Sequence, residues 1–254
     1  MTTVKDILQY LETIAPRSLK MDWDNVGLLC GNAEQEVTKV LVALDPFESV
    51  CSEAAQVGAQ LIVTHHPLIF IAPKAVTTDT SVGRSIMTLC RHGISAINAH
   101  TNLDCAEGGV NDVLAATLGL QNVTVIGNEN LLRAGQTEQM PLASFLSHIK
   151  ATLGCQGLRY VDGGKPVCKV AVGGGGCAGA LMDAVAAGCD TFVTADVKYN
   201  QFWDAKDFGL NLIDAGHYQT ENPMVAVLAE KLQTQFPEIQ VMISKSHKDC
   251  MKFF

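Results

Sequence analysis

Leu61-Ile62-Val63-Thr64-His65-His66-Pro67 is the stretch whose reading decides the fold of this chain. It begins as an apolar, β-branched run with turn signals nearby, so Leu61 to Val63 read as a buried strand. Neighbouring side chains on a strand point to opposite faces. Two adjacent imidazoles therefore serve one site only where the strand ends and the backbone turns. Pro67 supplies that end, because it keeps His66 out of the helical region and cannot continue a central ladder. The C-terminal edge of an open α/β sheet is where such folds bind ligands. Imidazole is the commonest metal-binding side chain, so the pair points to a metal site. Surface or hydrogen-bonded histidines are the alternative reading.

Working outward, the strand sits in an alternation of elements. Val37 to Asp45 reads as a strand ended by Pro46, and Glu48 to Val57 as a helix stopped by Gly58. Ser81 to His92 carries an apolar stripe at helical spacing with Gly93 at its end, and Ile94 to Asn98 is the next strand. Strand, helix, strand, helix, strand is the pattern of a parallel sheet with covering helices. An amphipathic helix over Thr3 to Ala15 precedes it, followed by a loop around Trp23 that lines a ligand site or simply packs. Gly127-Asn128-Glu129-Asn130 reads as a domain boundary. Beyond it come a strand (131–139), a helix (141–153), strands at 157–161 and 167–172, the run Gly173 to Gly176, a helix over 181–187, a strand at 191–194, a helix over 201–208 and a strand at 211–214. A helix over 225–235 and a strand over 239–244 close the chain.

The chain has 254 residues, 48% hydrophobic and 17% charged, with a formal net charge of −8. That balance argues against a nucleic-acid binder, which needs a concentrated basic footprint. The basic cluster from Lys245 to Lys252 is short, broken by Asp249, and reads as a solvated end. Nine scattered cysteines without a CxxC pair, and no signal peptide, point to reduced thiols in the cytoplasm. Most of them, including Cys30, Cys51, Cys90 and Cys189, read as small packing hydrophobes. No apolar run approaches the roughly 18 residues of a membrane span.

Two further polar clusters follow strands. Asn98-Ala99-His100-Thr101-Asn102-Leu103-Asp104 offers Asp104 as an oxygen ligand and His100 as a supporting hydrogen-bond partner. Asp214-Ala215-Gly216-His217-Tyr218-Gln219-Thr220-Glu221 offers His217 before a helix and Glu221 in its first turn, with Thr220 as N-cap. The pooled set is His65, His66, Asp104, His217 and Glu221, three nitrogens and two carboxylates. It suits zinc, iron, manganese, cobalt or nickel without selecting among them. Lack of thiolates argues against a closed structural zinc site. Five ligands from loops suit two ions about 3.5–4 Å apart, as in two-metal hydrolases. The glycine run resembles an anion cradle, but no Walker lysine follows, and close backbone packing is the favoured reading.

Thr64-His65-His66-Pro67, His100-Thr101-Asn102-Leu103-Asp104 with Gly109-Val110-Asn111-Asp112, and Asp214-Ala215-Gly216-His217 with Glu221 resemble the family of GTP cyclohydrolase 1 type 2 homologs, also called the NGG-interacting-factor-three-like family. Trp23-Asp24-Asn25-Val26-Gly27-Leu28 matches its N-terminal signature. The resemblance covers nearly the whole chain. It implies two interlinked three-layer α/β domains with mostly parallel sheets, a dinuclear metal site at their interface, and a homohexameric ring. The first domain is expected over 1–127, completed by 222–254, and the second over 128–221. The family's ligands fall on His65, His66, Asp104, His217 and Glu221, with Asp104 as the bridge. Asn200 stands where many members have histidine, the tail lacks an Asp-Pro ending, and there is no room for the inserted domain of longer members. The expected function is metal-dependent hydrolysis of a small, nucleotide-like substrate, with a non-enzymatic metal-binding, metal-delivery or regulatory role as the alternative. No clustered Arg or Lys marks a phosphate clamp.

Overall fold

Thr3 opens the first helix by a reciprocal cap. Its hydroxyl accepts from Asp6 N at 3.3 Å, while Asp6 Oδ2 accepts from Thr3 N at 2.8 Å. The computed structural model describes every residue from Met1 to Phe254. In chain order, α1 (Val4–Ile14) leads to β1 (Gly27–Cys30), β2 (Lys39–Ala43), α2 (Glu48–Val57), β3 (Leu61–Thr64), α3 (Ser81–His92), β4 (Ser95–Asn98) and α4 (Thr101–Cys105). Then come α5 (Val110–Thr117), β5 (Gln121–Ile126), β6 (Leu132–Met140), α6 (Leu142–Leu153), β7 (Arg159–Val161), β8 (Val167–Val172) and α7 (Leu181–Ala186). The last elements are β9 (Thr191–Thr194), α8 (Tyr199–Asp207), β10 (Asn211–Asp214), α9 (His217–Glu221), α10 (Pro223–Gln235) and β11 (Gln240–Ile243). No helix is long and apolar enough to cross a membrane.

The chain divides into two compact units. One comprises Met1–Ala106 and Val225–Asp249, the other Glu107–Met224 and Cys250–Phe254. The first passage between units thus falls ahead of the Gly127–Asn130 turn that the sequence pointed to. The reason is local: β5 and β6, on either side of that turn, pair as an antiparallel hairpin, Val125 opposite Arg133.

The first unit is built on a sheet in the order β1-β4-β3-β2-β11. Three of its four pairings are parallel, as the βαβαβ alternation requires. Only β1 runs antiparallel, with Leu28 opposite Ile97 and a bulge before Cys30. Alternation along the buried strands sends Leu41, Ala43, Ile62 and Ala96 to one face, where Val50, Cys51 and Ala54 of α2 and Leu89 of α3 cover them. Gly93 ends α3 at φ +62°, a conformation that glycine adopts without a Cβ penalty. Burial pushes the Cys51 thiol up to about 11, as its packing role predicts. Cys90 differs, since it is exposed.

The second unit is a three-layer sandwich. Its sheet runs β5-β6-β8-β9-β10-β7. Val170, Val172, Val193 and Ile213 face Leu114 of α5 and Phe145 and Ile149 of α6. Ala171, Phe192 and Leu212 face the opposite way, onto Leu181 and Ala184 of α7 and Ala205 of α8. Only β8-β9 and β9-β10 are parallel here. The expectation of mostly parallel sheets therefore holds for the first unit, and this sheet is mixed, because the β5-β6 hairpin joins β8 antiparallel on one side and β7 lies antiparallel to β10 on the other. Arg133 of β6 is buried, and its guanidinium grips Asp112 through Nε at 2.7 Å and Nη2 at 3.1 Å.

Glu53 of α2 holds the chain that leaves β11. Its carboxylate accepts from Ser244 Oγ at 2.5 Å, Lys245 N at 2.9 Å and Ser246 N at 3.0 Å. Burial pushes this carboxyl's pKa up, but the hydrogen bonds outweigh burial and hold it below the ordinary glutamate value. A depressed folded-state pKa contributes stability that is present above the unfolded value of about 4.3 and lost as pH falls through the folded one. Glu53→Gln should cost about 1–3 kcal/mol at pH 7 by leaving buried donors poorly matched. Urea unfolding at pH 7 and pH 3 checks this: the gap between the two proteins should narrow at the lower pH.

Candidate metal centre

In the first unit three imidazoles gather at the C-terminal ends of β3 and β4. Thr64 Oγ1 donates to His66 O at 2.7 Å and His66 N donates to Leu44 O at 2.9 Å, which fixes the turn that Pro67 enforces. His65 is buried, and its Nδ1 donates to the Ala99 carbonyl at 2.9 Å. A carbonyl can only accept, so Nδ1 carries a proton, and in the neutral ring Nε2 is the nitrogen with the lone pair. His66 Nδ1 donates to Asp45 Oδ1 at 2.7 Å. His100 Nδ1 donates to Asp24 Oδ1 at 2.8 Å. The three rings stand 5.0 to 5.5 Å apart by centroid, and one ring nitrogen from each lies within 4.8 Å of the others.

Asp104 joins this cluster from a helix. This helix, α4, begins directly at Thr101, just after β4 ends at Asn98. Leu103 N and Asp104 N both donate to His100 O, at 2.8 and 3.0 Å. One helical turn brings buried Asp104 Oδ1 to 3.5 Å from His65 Nε2.

The supporting carboxylates were not singled out from the sequence. Asp24 accepts from His100 and also, through Oδ2, from Thr101 N at 3.0 Å and Thr101 Oγ1 at 2.5 Å. Asp45 accepts from His66 and, through Oδ2, from His247 Nε2 at 2.8 Å. In both, burial raises the pKa but hydrogen bonds from the imidazoles win, holding the carboxyl well below the usual carboxylate range. His247 overturns the reading of 245–252 as merely a solvated end. Phe47 stacks on its ring, centroids 6.0 Å apart at 20°.

The second unit contributes His217 and Glu221. Here the structure corrects the local reading. His217 does not precede the helix, and Thr220 is not its N-cap. α9 is a separate single turn, so His217 and Glu221 stand four residues apart on one face, Nε2 to Oε2 3.1 Å. His217 Nδ1 donates to Asp196 Oδ2 at 2.7 Å. Thr220 Oγ1 lies inside the turn, against Gly216 O at 2.9 Å, and accepts from Gly175 N at 3.0 Å.

The glycine run explains how that turn fits. Asn111 Oδ1 accepts from Gly174 N at 2.7 Å, and Asn111 Nδ2 donates to Leu131 O at 2.7 Å. Gly175 holds φ +60°, and a Cβ there would collide with Glu221 Oε1 and lie 3.0 Å from His217 Nε2. The run is therefore a close-packing device beneath the two candidate ligand side chains, not a phosphate loop.

The residues present fit a divalent metal. Each of the three candidate histidine ligands fixes Nδ1–H on an oxygen and leaves Nε2 as donor atom, which is how metal-binding histidines are oriented. The carboxylates beside them are buried, and the mixed nitrogen and oxygen set suits a first-row transition ion or zinc.

A family model described as Duf34/NIF3 (NGG1p interacting factor 3) matches residues 2–250. A GTP cyclohydrolase 1 type 2 homolog from Clostridium perfringens is 37% identical over 259 residues, covering 98% of this chain and 99% of the relative. Among solved structures, a Staphylococcus aureus hypothetical protein superposes with a TM-score of 0.93 at 32% identity, covering 99% of each chain. A Bacillus cereus protein related to NIF3 also gives 0.93, at 28% identity, covering 100% of this chain and 99% of the other. With its motifs, its fold and its sequence matched over almost the whole length, the chain belongs to the Duf34/NIF3 family.

Proposed function

We propose that His65, His66, Asp104, His217 and Glu221 together hold two divalent ions, Asp104 bridging them, and that the protein is a metal-dependent hydrolase of a small substrate. The observation that carries this reading is the common orientation of the imidazoles: Nδ1–H of His65, His66 and His217 bound to oxygen, Nε2 left as donor. That the two clusters meet in one dinuclear centre is part of the proposal. Bound ions of this kind act as Lewis acids and bring the ionisation of water near neutral pH.

The chain's own groups then have distinct tasks. Asp45 and Asp196 orient His66 and His217. Asp24 fixes His100 as the Nδ1–H tautomer, so its Nε2, beside the ligand imidazoles, is placed to carry a proton between substrate and solvent. The second reading, metal delivery, is favoured by one observation: His217 has a side chain 34% exposed and its partner Asp196 60%, so metal held there is open to exchange.

Elemental analysis of protein purified without a tag or chelator should find close to two ions per chain. His66→Ala and His217→Ala should each lower that number; a content that ignores both substitutions would sink the ligand set. Asp45→Ala should leave the fold intact and weaken metal affinity roughly 10- to 100-fold, read by competition with a chromophoric chelator. His100→Gln should keep the metal and lower turnover about 10²- to 10⁴-fold on any substrate found in a hydrolase screen. Transfer of metal to an acceptor protein, with no turnover across that screen, would favour delivery.

A further inference from the structure

The Trp23 loop is pinned on both sides of an exposed indole. Asp24 is buried and accepts from His100 and Thr101, and Met21 N donates to Thr101 Oγ1 at 2.9 Å. Asn25 Nδ2 donates to the Ile69 carbonyl at 2.7 Å, tying this loop to the one that carries Phe70. Between these anchors Trp23 is 62% exposed, and Phe70 is 53% exposed. The two rings meet edge to face at 5.8 Å, and each also presents an edge-to-face contact to His100, at 6.1 and 6.2 Å. The result is a rigid aromatic corner around the one imidazole that joins the metal-donor cluster without being assigned as a ligand.

Large aromatic surface left in water forgoes burial free energy, and here it is held in place by buried hydrogen bonds. Such preorganised rings bind flat partners at little entropic cost. The ring contacts of Trp23 and Phe70 are to each other and to His100, and the lysine of this loop, Lys20, places its ammonium on the Met21 carbonyl at 3.1 Å. The corner offers π-faces and metal-type donors and nothing built for phosphate. Two rings are also too small an area for a stable protein partner.

We propose that Trp23 and Phe70 form a stacking subsite for a planar nitrogen heterocycle of the nucleobase class, holding its ring beside His100. The subsite recognises the base, so a nucleoside binds as well as its triphosphate. Placing the reacting bond by the metal donors rests on the metal reading above; the stacking itself does not.

The test uses full-length, metal-loaded protein in which Trp203→Phe leaves Trp23 as the sole tryptophan, since the chain has two. Guanosine, adenosine and GTP are titrated against Trp23 fluorescence, with ribose 5-phosphate as the ring-free control. Saturable quenching by at least one nucleoside, absent with ribose 5-phosphate, is expected. In calorimetry Trp23→Leu and Phe70→Leu should each weaken that nucleoside about tenfold or more, Trp23→Phe should restore much of it, and metal content should stay at the wild-type value. Quenching by neither nucleoside, equal quenching by ribose 5-phosphate, or dependence on the triphosphate would overturn the subsite. So would a Trp23→Leu protein whose mass in light scattering falls while its nucleoside affinity is unchanged, which would make the corner a contact between copies. Metal content that ignores His66→Ala, with quenching intact, would instead count against the metal reading alone.

Discussion

An imidazole has two nitrogens and, when neutral, one proton, so whichever nitrogen is tied to an acceptor decides what the other can do. Here Nδ1 of His65, His66, His100 and His217 is tied every time, to the Ala99 carbonyl or to Asp45, Asp24 and Asp196. The placement of those acceptors constrains much else. Ala99 follows β4, Asp45 follows β2 and Asp196 follows β9, each just beyond the carboxyl end of a strand in parallel pairing. A parallel sheet delivers all its carboxyl ends to one edge, so neighbouring strands supply imidazole and acceptor to the same place.

The second constraint is steric. A one-turn helix such as α9 has little stability of its own and is held by what surrounds it. Gly175 lets the backbone pass directly under His217 and Glu221, Thr220 bonds that backbone, and Asn111 bonds its neighbour Gly174. Asn111 and Asp112 belong to the same sequence motif yet face different tasks, since Asp112 neutralises buried Arg133. The motif is thus a brace, and its link to His217 and Glu221 runs through the glycines.

Much of this was legible in the chain. α2, α3, β8, β9 and β10 fall where apolar periodicity and glycine or proline punctuation place them, because their signals are local. β1 and β5 were missed: both are sheet-edge strands in antiparallel pairing, and β5 is mostly exposed, so no continuous apolar run marks it. α4 and α9 are too short for a helical period to appear, and that is why His217 was placed ahead of a helix and Thr220 as its cap. Histidine and carboxylate types after strands were visible as candidate ligands. Asp45 and Asp196 could have been found by the same rule, applied to every strand end. His247 could not, since nothing local connects it to a carboxylate two hundred residues earlier.

The first unit's sheet takes its last strand from the far end of the chain. β11 lies beside β2, with Val241 opposite Val40, about two hundred residues apart in sequence. Closing so long a loop is entropically costly and slows folding. On the ribosome the first unit has three parallel strands early but lacks β11 and most of α10 until all of Glu107–Met224 has been made. Nearly all of the second unit is contiguous, Glu107–Met224, and emerges with its whole sheet. The order of completion is therefore the reverse of the order of synthesis. Until β11 docks, the outer edge of β2 presents unpaired backbone groups, which makes that strand the point most exposed to misassembly during biogenesis.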